Sequence, residues 1–252
     1  MSDRPQSFTE LTARMEALLA PLEQAADPRR FFLATYLLTT YAVRIRVVHG
    51  DFADYVWVER WDVAFADLYL QALTDWNERG RTSRPWTVAF ELTGGPRLPP
   101  LRHVLLGMNA HVNYDLPQSL LLVITDDEFD DAALVARRNA DHSMIDSILA
   151  SRVAAEDREL KSVEQPGDRT VLDALMTPFN RLGTKRFLTE ARAKVWRNAV
   201  LLSQARRRGP AAYAARLAEL EELSARRVAD LRAPGQVLVR LARQGFGVTL
   251  PD

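Results

Sequence analysis

The sequence holds two imidazole–carboxylate pairs, His111 with Asp115 and His142 with Asp146, each four positions apart. Residues at that spacing share one face of a helix, so each pair aims a nitrogen and a carboxylate oxygen the same way. Two helices bearing such pairs can converge on one or two ions, as carboxylate bundles do. Imidazole and carboxylate suit zinc (Zn), manganese (Mn) and iron (Fe), and the chain has no cysteine to add a thiolate. His111, Asp115, His142 and Asp146 are therefore the candidate metal ligands, with Asp62 or His49 as further ones. A bound ion lowers the pKa of its water and polarises a phosphoryl or carbonyl oxygen. Asp62 or Asp141 is then the candidate catalytic carboxylate that takes the proton.

The first pair lies in the stretch GMNAHVNYDLP, residues 107–117. Leu101, Val104, Leu105 and Met108 repeat with helical spacing ahead of it, so a helix should carry the stretch into the core. Asn109, Asn113 and Tyr114 then enter an apolar run, where polar groups are costly unless satisfied. They are the candidate substrate-binding residues. Pro117 is expected to stop or kink the helix, because Leu116 before it is pushed away from helical angles.

Two other readings fit the same residues. One is a catalytic or ligand-binding pocket without metal. The other is a structural network in which Asn109, His111, Tyr114 and Asp115 satisfy one another and fix helix packing. Asp62, flanked by Trp61 and Val63, reads as more buried than Asp75. His103, beside Arg102 near a helix start, reads as a surface or rim residue. His49, just before Gly50, fits either a helix cap or the site. The five tryptophans read as core.

The elements that position these groups read as helices throughout. Ser7 and Glu10 form a capping box for a helix ending near Asp27. A second runs from about Arg29 to Val48 and is closed by Gly50. A third starts after Asp51 to Asp54 and reaches about Asn77. Shorter segments follow at Trp86 to Leu92, from Pro100, and at Ser119 to Ile124. An acidic run from Asp126 to Asp131 should open a long helix reaching about Lys161. Gly183 is expected to split the next stretch into helices Thr170–Leu182 and Thr184–Arg207. Another helix runs from Pro210 to near Ala233, and Val237 to Arg243 makes a last turn. No alternating strand pattern and no repeat appear. The expected fold is all-α, a single-domain bundle of about ten helices over 1–252. Residues 1–165 form its motif-bearing core and 168–252 a helical cover.

Composition narrows the function classes. The 252 residues are 47% hydrophobic and 26% charged, with 33 basic and 33 acidic side chains. That balance gives no electrostatic reason to expect nucleic acid as partner. Without cysteine there are no disulfides and no thiolate chemistry. No signal-peptide pattern and no membrane span of roughly 20 apolar residues are read in the chain, so a cytoplasmic protein acting on a small-molecule substrate or ligand is expected. Glycine-rich phosphate loops, nucleotide fingerprints and the G-x-S-x-G elbow are missing.

Several of these pieces together resemble a family of uncharacterised bacterial and fungal all-helical proteins. They are Tyr36 to Thr40, Gly50 to Asp54, Trp61 to Phe65, the 107–117 stretch, and Asp141 with His142. The resemblance implies a helical fold and no particular activity. A looser chemical likeness is to helical zinc-dependent phospholipases C and related nucleases, which bind metals through His-x-x-x-Asp and His-x-x-x-Glu pairs. It implies a hydrolase of a phosphoester or similar small substrate. The run from Asp126 to Asp130 resembles the Asp-Asp-x-x-Asp motif of class I terpene synthases, which bind magnesium diphosphate. Asn139 and Ser143 fit that family's second motif, but Ser147 stands where glutamate is expected. An acidic helix start facing water explains the run equally. The contrasting class is a non-catalytic helical protein that binds a lipid-like ligand or a protein partner.

Overall fold

A computed structural model describes residues 7–93, 98–163, 171–231 and 245–252; the side chains of Asp146 and of 149–188 lie outside the described residues. The chain is all-α, and no strand occurs among the described residues. Its helices are α1 (Phe8–Gln24), α2 (Arg30–Val48), α3 (Tyr55–Arg79), α4 (Arg84–Thr93), α5 (Pro100–Ala110), α6 (Leu116–Val123), α7 (Ala132–Val163), α8 (Val171–Arg207) and α9 (Pro210–Asp230). A π turn, His111–Asp115, joins α5 to α6 without a break, so the described residues form eight rods rather than ten. The expected last turn, Val237 to Arg243, lies outside the described residues.

Caps place most boundaries where local chemistry asks for them. The Ser7 hydroxyl accepts the Glu10 amide, and Asp54 accepts the Trp57 amide at the start of α3. Gly50 and Gly80 follow α2 and α3 at φ of +74° and +64°, the left-handed region that only glycine enters without strain. Two expectations fail. Gly183 does not divide the chain, because α8 runs straight through it. A single mid-helix glycine costs only about 1 kcal/mol, less than tertiary packing can supply. The acidic run does not open α7 either. Glu128–Asp130 form a separate 3-10 turn, and Asp131 caps α7 by accepting the Ala133 and Leu134 amides.

By length and hydropathy α2 would pass for a membrane span, which the sequence reading did not anticipate. Its buried face of Phe32, Leu33, Tyr36 and Val43 packs against α1, α5 and α7. Against α3 it meets the aromatic stripe on which the site rests.

Candidate functional site: a buried His111–Asp115 pair in an aromatic box

Trp57, Trp61, Phe65 and Tyr69 recur every fourth position along α3, which stacks them on one side of the rod. The Trp57, Trp61 and Phe65 rings lie nearly parallel, at 11° and 8° to their neighbours. The imidazole of His111 continues this column, parallel to Phe65 with centroids 3.5 Å apart. Tyr36 closes on it edge-first at 4.9 Å, and Phe32, Tyr69 and Trp86 complete the box.

The π turn brings His111 to this place. Widening the helix by one residue per turn is a recurrent feature of functional sites. Here it makes the Leu116 amide bond back five residues, to the His111 carbonyl. It also explains why Pro117 does not stop the rod. A proline in a regular helix clashes with the carbonyl four residues earlier, and the wide turn opens that point. Leu116 stays helical, at φ −62° and ψ −45°. The Gln118 amide then bonds the Tyr114 carbonyl, and the Ser119 hydroxyl bonds the Leu116 carbonyl while accepting Trp61 Nε1–H.

Within the box, His111 Nδ1 lies 2.8 Å from Asp115 Oδ2, and Trp86 Nε1–H donates to the same oxygen at 2.8 Å. Asp115 thus acts as an acceptor for two ring nitrogens, which fixes the imidazole's tilt and puts its proton on Nδ1. Burial pushes His111 below the usual histidine pKa and Asp115 above the usual carboxylate range; their mutual bond opposes both shifts but is the smaller effect. The imidazole is therefore neutral, and Nε2 carries a lone pair. That Nε2 is buried and has no hydrogen-bond partner among the described residues.

Seven buried oxygens among the described residues share this condition, and four of them, Tyr36 Oη, Thr40 Oγ1, Asp62 Oδ2 and Tyr69 Oη, lie on α2 and α3. Tyr36 connects them to His111, since its phenol feels the charges of both Asp62 and Asp115. Burial, then those charges, hold it well above the usual tyrosine pKa. Asp62 is pushed up to about 7 by burial alone. Tyr36 is thus the group that stands in the field of both carboxyls, packed edge-first on the neutral imidazole.

His142 is held by other partners. Trp196 Nε1–H donates to His142 Nδ1 at 3.1 Å, and Trp61 packs on the ring at 4.7 Å. Burial takes His142 down to about 3. The Asp146 side chain lies outside the described residues. Asp141 has both oxygens engaged, by the Ala53 and Asp54 amides at 2.8 and 3.0 Å, so it anchors the entry to α3. Among the described residues no group of three or more His, Asp or Glu side chains gathers as a metal centre requires.

Asn109 and Asn113 also face elsewhere. Both amides donate to the Phe246 carbonyl, at 3.2 and 3.0 Å, so they grip the chain's own segment 245–252. Tyr114 is turned toward α9, where Glu221 and Tyr213 lie within electrostatic reach. His49 is the exposed C-cap of α2. His103 is not a rim residue: it is 5% exposed and stacks on Phe31, because α5 packs directly on α2. The acidic run is drawn into ion pairs, Asp126 with Arg206, Asp130 with Arg207 and Glu128 with Arg138.

Tyr36, Thr40, Phe65 and Trp86 did not emerge from the sequence as site residues. The available signals were the fourfold aromatic spacing on α3 and the Tyr36–Thr40 spacing on α2.

The chain matches one family model over residues 8–234. It belongs to DUF5995, a family of unknown function. No curated protein and no solved structure matches it. The DUF5995 match takes in every helix from α1 to α9, and with them the whole aromatic box. Segment 245–252 lies beyond its last residue.

Proposed function

We propose that this DUF5995 protein is an enzyme that moves a proton on a small, largely apolar substrate, with His111 Nε2 as the base. One observation carries the reading: Nε2 is buried without a partner, while Asp115 and Trp86 hold the other side of the ring. A buried polar atom left unsatisfied costs roughly 1–3 kcal/mol, and a fold retains such an atom most readily where a bound molecule satisfies it. Asp62 is the partner acid and Tyr36 the donor that steadies developing negative charge. The aromatic walls exclude water and suit an apolar substrate body. Hydrolysis of a small ester or phosphoester fits the same base, acting on a water.

The test is a panel of small esters, phosphoesters and enolisable ketones given to the wild type and to His111→Gln, with helicity checked on both. The expected result is turnover that falls about 100- to 10,000-fold in the variant. The opposing result is a folded His111→Gln protein with every turnover on the panel unchanged. The pair would then hold helices together and nothing more.

A second reading places a divalent ion of zinc, manganese or iron on His111 Nε2 and Asp62 Oδ2. It is favoured by Asp115, since metal-ligating histidines almost always give their other ring N–H to a carboxylate or similar acceptor. Elemental analysis distinguishes the two: stoichiometric metal lost in His111→Ala supports the ion, and metal content equal in both proteins removes it.

A further inference from the structure

A cleft among α2, α3, α4 and α5 has a volume of about 20 Å³, room for one water-sized group. It shares Phe32, Tyr69 and Trp86 with the aromatic box, but neither His111 nor Asp115 lines it. Most of the remaining wall is apolar, with Ala89, Phe90 and Leu106 in it. Half-buried Pro28, Arg29 and Thr93 form a rim that opens to solvent. Two lining side chains bring polar atoms that have no hydrogen-bond partner among the described residues. Tyr69 is 1% exposed with Oη unpartnered, and His103 is 5% exposed with Nδ1 unpartnered. Both also feel the charge of Asp27, next to Pro28, so they face the same part of the cleft.

The two atoms are complementary. Burial holds Tyr69 well above the usual tyrosine pKa, so its phenol remains a hydrogen-bond donor. Burial also holds His103 below the usual histidine value, and the bond from its ring to the Leu98 main chain uses the other nitrogen. Nδ1 therefore offers a lone pair. Arg29 adds no free charge, because Asp27 and Asn77 hold its guanidinium. A few placed polar atoms on an apolar concave wall are the usual form of a small-molecule site. We propose that this cleft binds the neutral tip of a small molecule that both accepts and gives a hydrogen bond, as a primary amide or an alcohol does. Tyr69 Oη donates to that tip and His103 Nδ1 accepts from it. A carboxylate would face the imidazole lone pair, and a ketone would leave it unpaired. The proposal does not rest on the reading of His111.

Acetamide and acetone have nearly the same shape, but only acetamide can also donate. Each is titrated into the full chain and followed by NMR at the Leu106 and Gly107 amides and the Trp86 indole N–H, all on the cleft wall. Acetamide is expected to give saturable shifts confined to the cleft, and acetone to bind about tenfold more weakly, the loss of one hydrogen bond. Tyr69→Phe removes a hydroxyl that has no partner to lose, so it should fold as the wild type does and weaken acetamide by a similar factor. Shifts that grow without saturating, or a folded Tyr69→Phe that binds acetamide as tightly as the wild type, overturn the proposal. Where Tyr69→Phe loses its helical signal, the wild type decides alone: acetamide tighter than acetone supports the site, and equal binding overturns it. A crystal soaked in acetamide whose cleft holds an ordered water only overturns it as well.

Discussion

The ring of Phe32 fills the space between Gly107 and His111, and its tolerance is small. A Cβ on residue 107 would lie 2.3 Å from Phe32 Cγ, a distance no pair of carbons holds, so the ring would have to move. It would move into Tyr69 or His111, whose centroids are 4.9 and 5.9 Å away. Gly107→Ala is therefore expected to destabilise the protein by about 1–3 kcal/mol, despite the roughly 1 kcal/mol that alanine gains over glycine in a helix. Urea unfolding measures it, and a midpoint at or above wild type would show that Phe32 is not pinned. At this scale the sequence told part of the story. The spacing of His111 and Asp115 does put them on one face and in contact. What it could not tell is that Asp115 shares its carboxylate between the imidazole and Trp86, because Trp86 is 29 positions away. His142 is the same case: its Nδ1 is engaged by Trp196, 54 positions on.

Elements were legible where their signals are local. Ser7, Asp54 and Gly50 mark helix ends by capping chemistry, and the structure places them there; α3 runs past the expected end near Asn77 to Gly80. The π turn left no such mark: its wide bond, from the Leu116 amide to the His111 carbonyl, falls just ahead of Pro117, which has no N–H to give. Asp141 shows how one element fixes another. Its carboxylate holds the Ala53 and Asp54 amides, two residues that lead into α3 and thus set where the aromatic column begins. Asp141→Ala removes both bonds and leaves two amides to find water. The expected cost is about 1–3 kcal/mol, with hydrogen exchange at Ala53 and Asp54 rising well above that of mid-α3 amides. Unchanged exchange at those two positions would show that the loop holds itself.

For the whole molecule, the buried titrating groups oppose one another. Asp62 rises from 3.8 to about 7 on folding, so the folded state binds its proton more tightly than the unfolded chain. Stability from this group is full below pH 4 and is lost as pH rises to 7, by about 4 kcal/mol. His142 falls from 6.5 to about 3, so its contribution is full above pH 6.5 and is lost as pH falls toward 3, by about 5 kcal/mol. Between pH 4 and 6.5 the two slopes have opposite signs and offset each other. His111, lowered, and Asp115, raised, act against each other in the same sense. Asp62→Asn keeps the shape of the side chain and removes one slope. The variant should become steadily more stable than wild type as pH is raised from 4 to 7, with a difference that then levels off. Urea unfolding of both proteins at pH 4.5, 6 and 8 measures that difference directly. A difference that stays constant across the three would mean that Asp62 titrates alike in the folded and unfolded chain, and the acid assigned to the His111 site would have to be another group.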